Sequence, residues 1–226
     1  MENPVGAPHV NALESLWQPS PVSGSPWLMV VLHGRGDSVE GFQDWQKSLG
    51  IPELSFLLLN APNPYGPGFS WYDLPPNQLP GILNSSAKLA RVFEQLEASG
   101  VDLSRTFLFG FSQGCLMTLE FGARYSNRLA GYIGVSGYCH DPKALLEEAN
   151  QEVIHNTVQG ASHGADWLIT HGTIDEMLPV ERTRAQMKEL QDGGFKLEYQ
   201  EFLKGHFIEP RKELPIIRKF VQDRIS

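Results

Sequence analysis

Thr106-Phe107-Leu108-Phe109-Gly110-Phe111-Ser112-Gln113-Gly114 is the stretch that decides how this chain reads. An apolar, strand-like run enters the pattern G-x-S-x-G, and the residues after it, apolar on several sides over Leu116–Tyr125, read as a buried helix. A serine on so sharp a strand-to-helix turn is forced into strained backbone angles, and its glycine neighbours remove side chains that would clash. The helix start then aims free N–H groups and the positive end of its dipole at a reacting carbonyl. Ser112 is therefore the candidate nucleophile, and the backbone N–H of Gln113 a candidate oxyanion donor. The letters alone are common; a strand before them and a helix after them make the signal specific.

Outward from the elbow, short apolar runs alternate with longer amphipathic ones. Strands are expected at Trp27–Leu32, Leu54–Leu59, Thr106–Phe109, Ala130–Val135, Trp167–Thr170 and Leu197–Phe202, and the alternating pattern of the last puts it near an edge. Helices are expected at Ser85–Ser99, Leu116–Tyr125, Pro142–Asn150 (capped by Asp141), Val180–Leu190 and Leu214–Arg224. This alternation predicts an α/β fold, a mostly parallel sheet with helices on both faces, in one domain over residues 1–226. Asn60–Pro80 carries prolines at 62, 64, 67, 75, 76 and 80, which excludes regular structure on this reading. A long, aromatic-rich loop in a compact domain points to a substrate-site element. Glu152–Gly164 reads as a polar surface loop.

With Ser112 placed, the order nucleophile, acid, histidine prunes the partners. Five histidines follow it, at 140, 155, 163, 171 and 206. His206 sits in Lys204-Gly205-His206-Phe207 just past the last strand and is the candidate base. His155 and His163 read as solvated, His171 as a packed imidazole ending its strand, and His140 as the competitor that no acid is placed to orient. Asp175, in His171-Gly172-Thr173-Ile174-Asp175, lies beyond a strand end and is favoured over Glu176 because the shorter side chain on a tight turn holds one geometry. His33-Gly34-Arg35-Gly36-Asp37 follows the first strand, where a second oxyanion N–H is expected, assigned to Arg35. His33 reads as a structural imidazole. Phe69, Trp71 and Tyr72 either line an acyl pocket or pin their loop to the body.

The bulk numbers set the partners. The 18 basic and 26 acidic side chains leave a formal net charge of -8, with no Lys/Arg cluster, which excludes nucleic acid as the expected partner. No signal peptide or membrane-spanning run is seen, and Cys115 and Cys139 form no metal or redox motif. A cytoplasmic location and reduced thiols are expected. Apolar loop surface leaves a homodimer open.

Together Leu32-His33-Gly34-x-Gly36-Asp37, Ser70-Trp71-Tyr72-Asp73, Gly110-Phe111-Ser112-Gln113-Gly114, His171-Gly172-x-x-Asp175 and Gly205-His206 resemble the phospholipase/carboxylesterase family that contains the acyl-protein thioesterases. The resemblance runs from about Trp27 onward and implies an α/β-hydrolase acting on carboxylic esters or thioesters, small-molecule or lipid, without a cofactor. It implies the same Ser112–Asp175–His206 set and amides 35 and 113. Two positions depart from the family's habit: Arg35 stands where a hydrophobic residue is usual, and Cys115 where glycine is. Within enzymes the alternative is a lysophospholipase or an acyl-protein thioesterase, and the rival from another class is a binding protein that keeps the fold without turnover.

Overall fold

The computed structural model describes residues 6–154 and 165–225. Its centre is a seven-stranded sheet built from β1 (Ser15–Gln18), β2 (Trp27–Leu32), β3 (Leu54–Leu59), β6 (Thr106–Phe111), β7 (Gly131–Val135), β8 (Trp167–Gly172) and β9 (Leu197–Phe202). The order is β1-β3-β2-β6-β7-β8-β9; all neighbours are parallel except β1, which runs antiparallel to β3. Successive strand side chains point to opposite faces, so a strand apolar throughout feeds two cores. Leu28, Val30 and Leu32 of β2 join one core, packed under α2 (Gln78–Ala98), α3 (Gln113–Gly122) and α5 (Val180–Asp192). Met29 and Val31 join the other, closed by α1 (Trp45–Leu49) and α6 (Glu213–Ile225). The expected α/β-hydrolase architecture is the one observed, and β9 lies at the sheet edge.

The expected strands hold, with β6 and β8 each running two residues further, to Phe111 and Gly172. Asp141 caps α4 (Pro142–Ile154) as expected, its Oδ1 accepting the N–H groups of Lys143 at 3.1 Å and Ala144 at 3.2 Å. That helix continues to Ile154, beyond the expected end. Of the segment read as a surface loop, His155 and His163 lie outside the described residues.

Asn60–Pro80 corrects the reading of that segment as irregular. It contains a hairpin, β4 (Asn63–Tyr65) and β5 (Gly68–Ser70), turning at Gly66, whose φ of 58° suits glycine. It also contains the start of α2, which begins at Gln78 rather than near Ser85. Pro80 is tolerated there because the first-turn N–H groups of a helix have no intrahelical partner to lose. The hairpin is also no free flap: Gly36 N–H donates to Phe69 O at 2.7 Å, and Phe69 N–H to Asp37 O at 2.9 Å. A Cβ on Gly68 would sit 2.4 Å from Asp37 O, so this approach needs glycine. The hairpin is thereby locked to the loop that follows β2.

Candidate active site

The carboxyl ends of parallel strands gather chain that can act together, and four of them do so here. Ser112 caps β6 with φ 55° and ψ -114°, a left-handed strain accepted because both sides of the turn are fixed. Its N–H donates to Val135 O at 2.9 Å and its carbonyl accepts from Cys115 N–H at 3.0 Å. The flanking glycines have steric reasons. A Cβ on Gly110 would lie 2.1 Å from Gly114 O, and one on Gly114 would lie 2.2 Å from Leu32 O. Neither clash can be relieved by a side-chain rotation, so the elbow is sealed against β2.

His206, past the end of β9, places Nε2 2.8 Å from Ser112 Oγ and Nδ1 2.7 Å from Asp175 Oδ2. The other Asp175 oxygen accepts the N–H groups of Leu178 at 2.9 Å and Met177 at 3.0 Å, which fixes the carboxylate plane. Burial pushes the Asp175 carboxyl up, but the His206 hydrogen bond and the two backbone donors outweigh it, leaving the group below the usual carboxylate range. A carboxylate that stays ionised holds the imidazole with Nδ1 protonated, so Nε2 is the nitrogen free to accept from the serine. Glu176 is exposed. His171 is fully buried and bonds Leu178 O through Nε2 at 2.8 Å, a packed imidazole as expected. The His140 backbone N–H donates to Glu120 Oε1 at 2.8 Å, and no hydrogen bond joins its ring to Ser112 among the described residues.

The loop after β2 lies against the elbow: a Cβ on Gly34 would come within 3.3 Å of Ser112 Cβ. Among the described residues, neither the Arg35 nor the Gln113 backbone N–H donates to a protein acceptor, leaving both available to a ligand. His33 braces this loop. Its Nδ1 meets Gly34 O at 2.6 Å and its Nε2 accepts Ala61 N–H at 3.1 Å, a pairing open only to the neutral ring. Burial lowers its pKa in keeping with that.

The aromatic segment divides. Tyr72 lines a cavity of about 510 Å³ above Ser112, along with Tyr65, Leu74, Tyr138, Met177 and Leu178. Trp71 is fully buried and is a strut: its Nε1–H donates to His33 O at 2.9 Å and its carbonyl accepts from Ser85 Oγ at 2.6 Å. Phe69 packs against the core and pairs with Asp37 in the hairpin contact. The structure therefore brings Tyr72 to the cavity and places Phe69 and Trp71 behind it.

Sequence reasoning treated Gln113 as a backbone donor alone. Its buried side chain clamps the same segment, Oε1 accepting from Trp71 N–H at 3.0 Å and Ser70 Oγ at 3.1 Å while Nε2 donates to Tyr72 O at 2.8 Å. It also missed a buried tie beneath His206. Lys204 Nζ donates to Glu213 at 2.7 Å, Phe207 O at 2.7 Å and Ser136 Oγ at 3.0 Å. Burial lowers the Lys204 pKa, and the Glu213 carboxylate counters this in part. The sequence signal for it is faint: a lysine two residues before His206 and an acid nine residues on. Cys115 fills the space left by Gly134 and Gly137, where added Cβ atoms would lie 2.6 Å and 2.5 Å from its sulfur. Burial pushes this thiol up to about 12, so it stays protonated behind the elbow.

A sequence model of the phospholipase/carboxylesterase family matches residues 21–225. The chain is 28% identical over 167 residues to acyl-protein thioesterase 1 of Yarrowia lipolytica, covering 66% of this chain and 70% of that one. It is 27% identical over 213 residues to the carboxylesterase SOBER1 of Arabidopsis thaliana, covering 86% and 90%. Among solved structures, esterase PE8 superposes with a TM-score of 0.78 at 26% identity, over 94% of this chain and 99% of that one. With the strand order, the serine elbow and this match over nearly its whole length, the chain belongs to the phospholipase/carboxylesterase family of α/β-hydrolases, and so to the carboxylic ester hydrolases.

Proposed function

We propose that the protein hydrolyses carboxylic esters and thioesters through an acyl-enzyme on Ser112, with His206 as base and Asp175 as the residue that orients it. The observation that carries this reading is the unbroken series from Asp175 Oδ2 through both His206 nitrogens to Ser112 Oγ, at 2.7 Å and 2.8 Å. In the first half, Ser112 Oγ attacks the carbonyl carbon as its proton passes to His206 Nε2. The negative charge that develops on the carbonyl oxygen meets the free N–H groups of Arg35 and Gln113, a type of contact worth ~3 kcal/mol per donor. The protonated His206 then gives its proton to the departing alcohol or thiol. In the second half a water, losing its proton to the same nitrogen, attacks the acyl-enzyme and frees the acid and Ser112. Asp175 remains ionised throughout and steadies the imidazolium.

Tyr72 and the apolar walls beside it support an acyl pocket, with Phe69 and Trp71 acting from behind as the frame that holds Tyr72. Leu74 and Met177, both cavity-lining and more than half exposed, extend apolar surface to the mouth, which suits a lipid-like acyl chain. The relatives divide between thioesterases and carboxylesterases by name, so the leaving atom is the open choice. A panel of oxygen esters and thioesters with graded acyl length, using Ser112→Ala as blank, tests the proposal. Turnover is expected in the wild type alone, with a preferred chain length. Equal turnover by the Ser112→Ala protein overturns the role of Ser112, and no turnover by the wild type overturns the proposal in favour of a binding protein on this fold.

A further inference from the structure

Two guanidinium groups are laid on tyrosines of this cavity's wall, Arg35 as a lining residue itself and Arg182 beside the lining. The Arg35 Cζ lies 4.9 Å from the centroid of the Tyr65 ring, and the Arg182 Cζ lies 4.0 Å from that of Tyr138. Tyr65 comes from the hairpin and Tyr138 from the loop after β7, and both line the space above Ser112. Among the described residues neither arginine forms an ion pair or a side-chain hydrogen bond, in contrast to Arg124, Arg184 and Arg224, which pair with carboxylates.

A guanidinium stacked on an aromatic face is ordered in place while its N–H edges stay available, and those edges match a carboxylate or phosphate. The acidic lining residue, Asp37, does not neutralise Arg35. Its Oδ1 accepts Ser38 N–H at 2.8 Å, and a Cβ on Gly41 would meet that same oxygen at 2.2 Å, so the carboxylate is committed to the turn beneath it. In a chain of net charge -8 an anionic substrate is repelled at long range unless the mouth itself carries positive charge. The side chain of Arg35 also belongs to the residue whose N–H faces the developing oxyanion, which puts its charge close to the reacting ester.

Resting on the esterase reading above, we propose that Arg35 and Arg182 form an anion-recognising mouth that selects esters or thioesters bearing a carboxylate or phosphate remote from the scissile carbonyl. Such a group sits on the acyl side or on the leaving side, and the test separates the two. On the acyl side, 4-nitrophenyl hydrogen suberate is compared with its methyl ester. On the leaving side, 4-carboxyphenyl butanoate is compared with its methyl ester. In each pair the ratio of kcat/KM, anionic over neutral, is measured for wild type, Arg35→Met, Arg182→Met, the double variant, Arg35→Lys and, as an exposed cation on α2 that does not line the cavity, Arg91→Met.

The wild type is expected to favour the anionic member of at least one pair. Each methionine substitution lowers that ratio about fivefold and the double variant lowers it further, as expected for partly exposed charge pairs. Arg35→Lys keeps most of the preference, Arg91→Met keeps all of it, and about 0.5 M NaCl erodes it. A ratio unchanged between wild type and the double variant in both pairs overturns the proposal. Loss of binding to phosphatidylserine vesicles in the double variant, with both ratios unchanged, also overturns it, by assigning the arginines to a lipid surface. Turnover that does not depend on Ser112 would instead remove the Ser112 acyl-enzyme reading, an outcome distinct from Ser112-dependent turnover without charge preference.

Discussion

Between Asp175 and Glu176, adjacent in sequence and alike in charge, the backbone turn makes the choice. Asp175 is drawn inward by the N–H groups of Met177 and Leu178, and its second oxygen is left facing His206. Glu176 faces solvent. Asp175→Asn should therefore reduce kcat by about 10⁴-fold through loss of the correct imidazole tautomer, while Glu176→Gln leaves it near wild type. Steady-state kinetics on a short chromogenic ester checks both. Equal losses in the two variants would mean that the acid is misassigned. That Ser112, Asp175 and His206 come together was legible in the sequence because each sits at a strand end with its own turn chemistry, and because the chain order of this fold removes most histidines. The side chain of Gln113 was not legible. Its partners, Ser70, Trp71 and Tyr72, are about forty residues away in a segment whose prolines conceal its structure.

At the level of elements, what sequence patterning missed is what depends on distant contacts. β1 is four residues long and only part-buried, and its identity as a strand comes from its antiparallel pairing with β3. α1 is five residues closed by Gly50 at φ 65°, too short for periodicity to show. The β4–β5 hairpin exists because the loop after β2 supplies its pairing partner at Asp37. The loop carrying His206 depends in the same way on α6. Lys204 and Glu213 are both fully buried and bind each other, and the Lys204 ammonium also holds the carbonyl of Phe207, next to His206. Removing one partner strands a buried charge, so Lys204→Met should cost about 3–5 kcal/mol and lower Tm by about 10 °C. Lys204→Met combined with Glu213→Leu should recover much of that stability, yet activity should stay low because the tie to Phe207 is still missing. Thermal melts beside kcat measurements test this. Recovery of stability and activity together would show that the pair does not position the loop.

For the whole molecule, several buried groups lean the same way with pH. Burial holds His33 and His171 below their ordinary value of 6.5, and Asp175 lies below the usual carboxylate range. A group whose folded pKa is depressed contributes stability above its unfolded pKa and loses it as pH falls through the folded one. Tm should therefore be flat above about pH 7, decline as pH drops below about 6.5 from the two histidines, and decline more steeply below about pH 4 as Asp175 joins them. A melt series from about pH 8 to about pH 2.5 reads this directly, and His171→Asn should flatten its upper part. A Tm that rises on acidification from pH 7 to pH 5 would contradict the neutral, buried state of these rings. Among the described residues no helix is long and apolar enough to cross a membrane.

The central claim is that Ser112 is an activated nucleophile, and covalent trapping tests it most directly. Incubation with a fluorophosphonate followed by peptide mass mapping should give one adduct, on Ser112, formed far more slowly in His206→Ala and absent in Ser112→Ala. An adduct on another residue, or none in the wild type, would contradict the account.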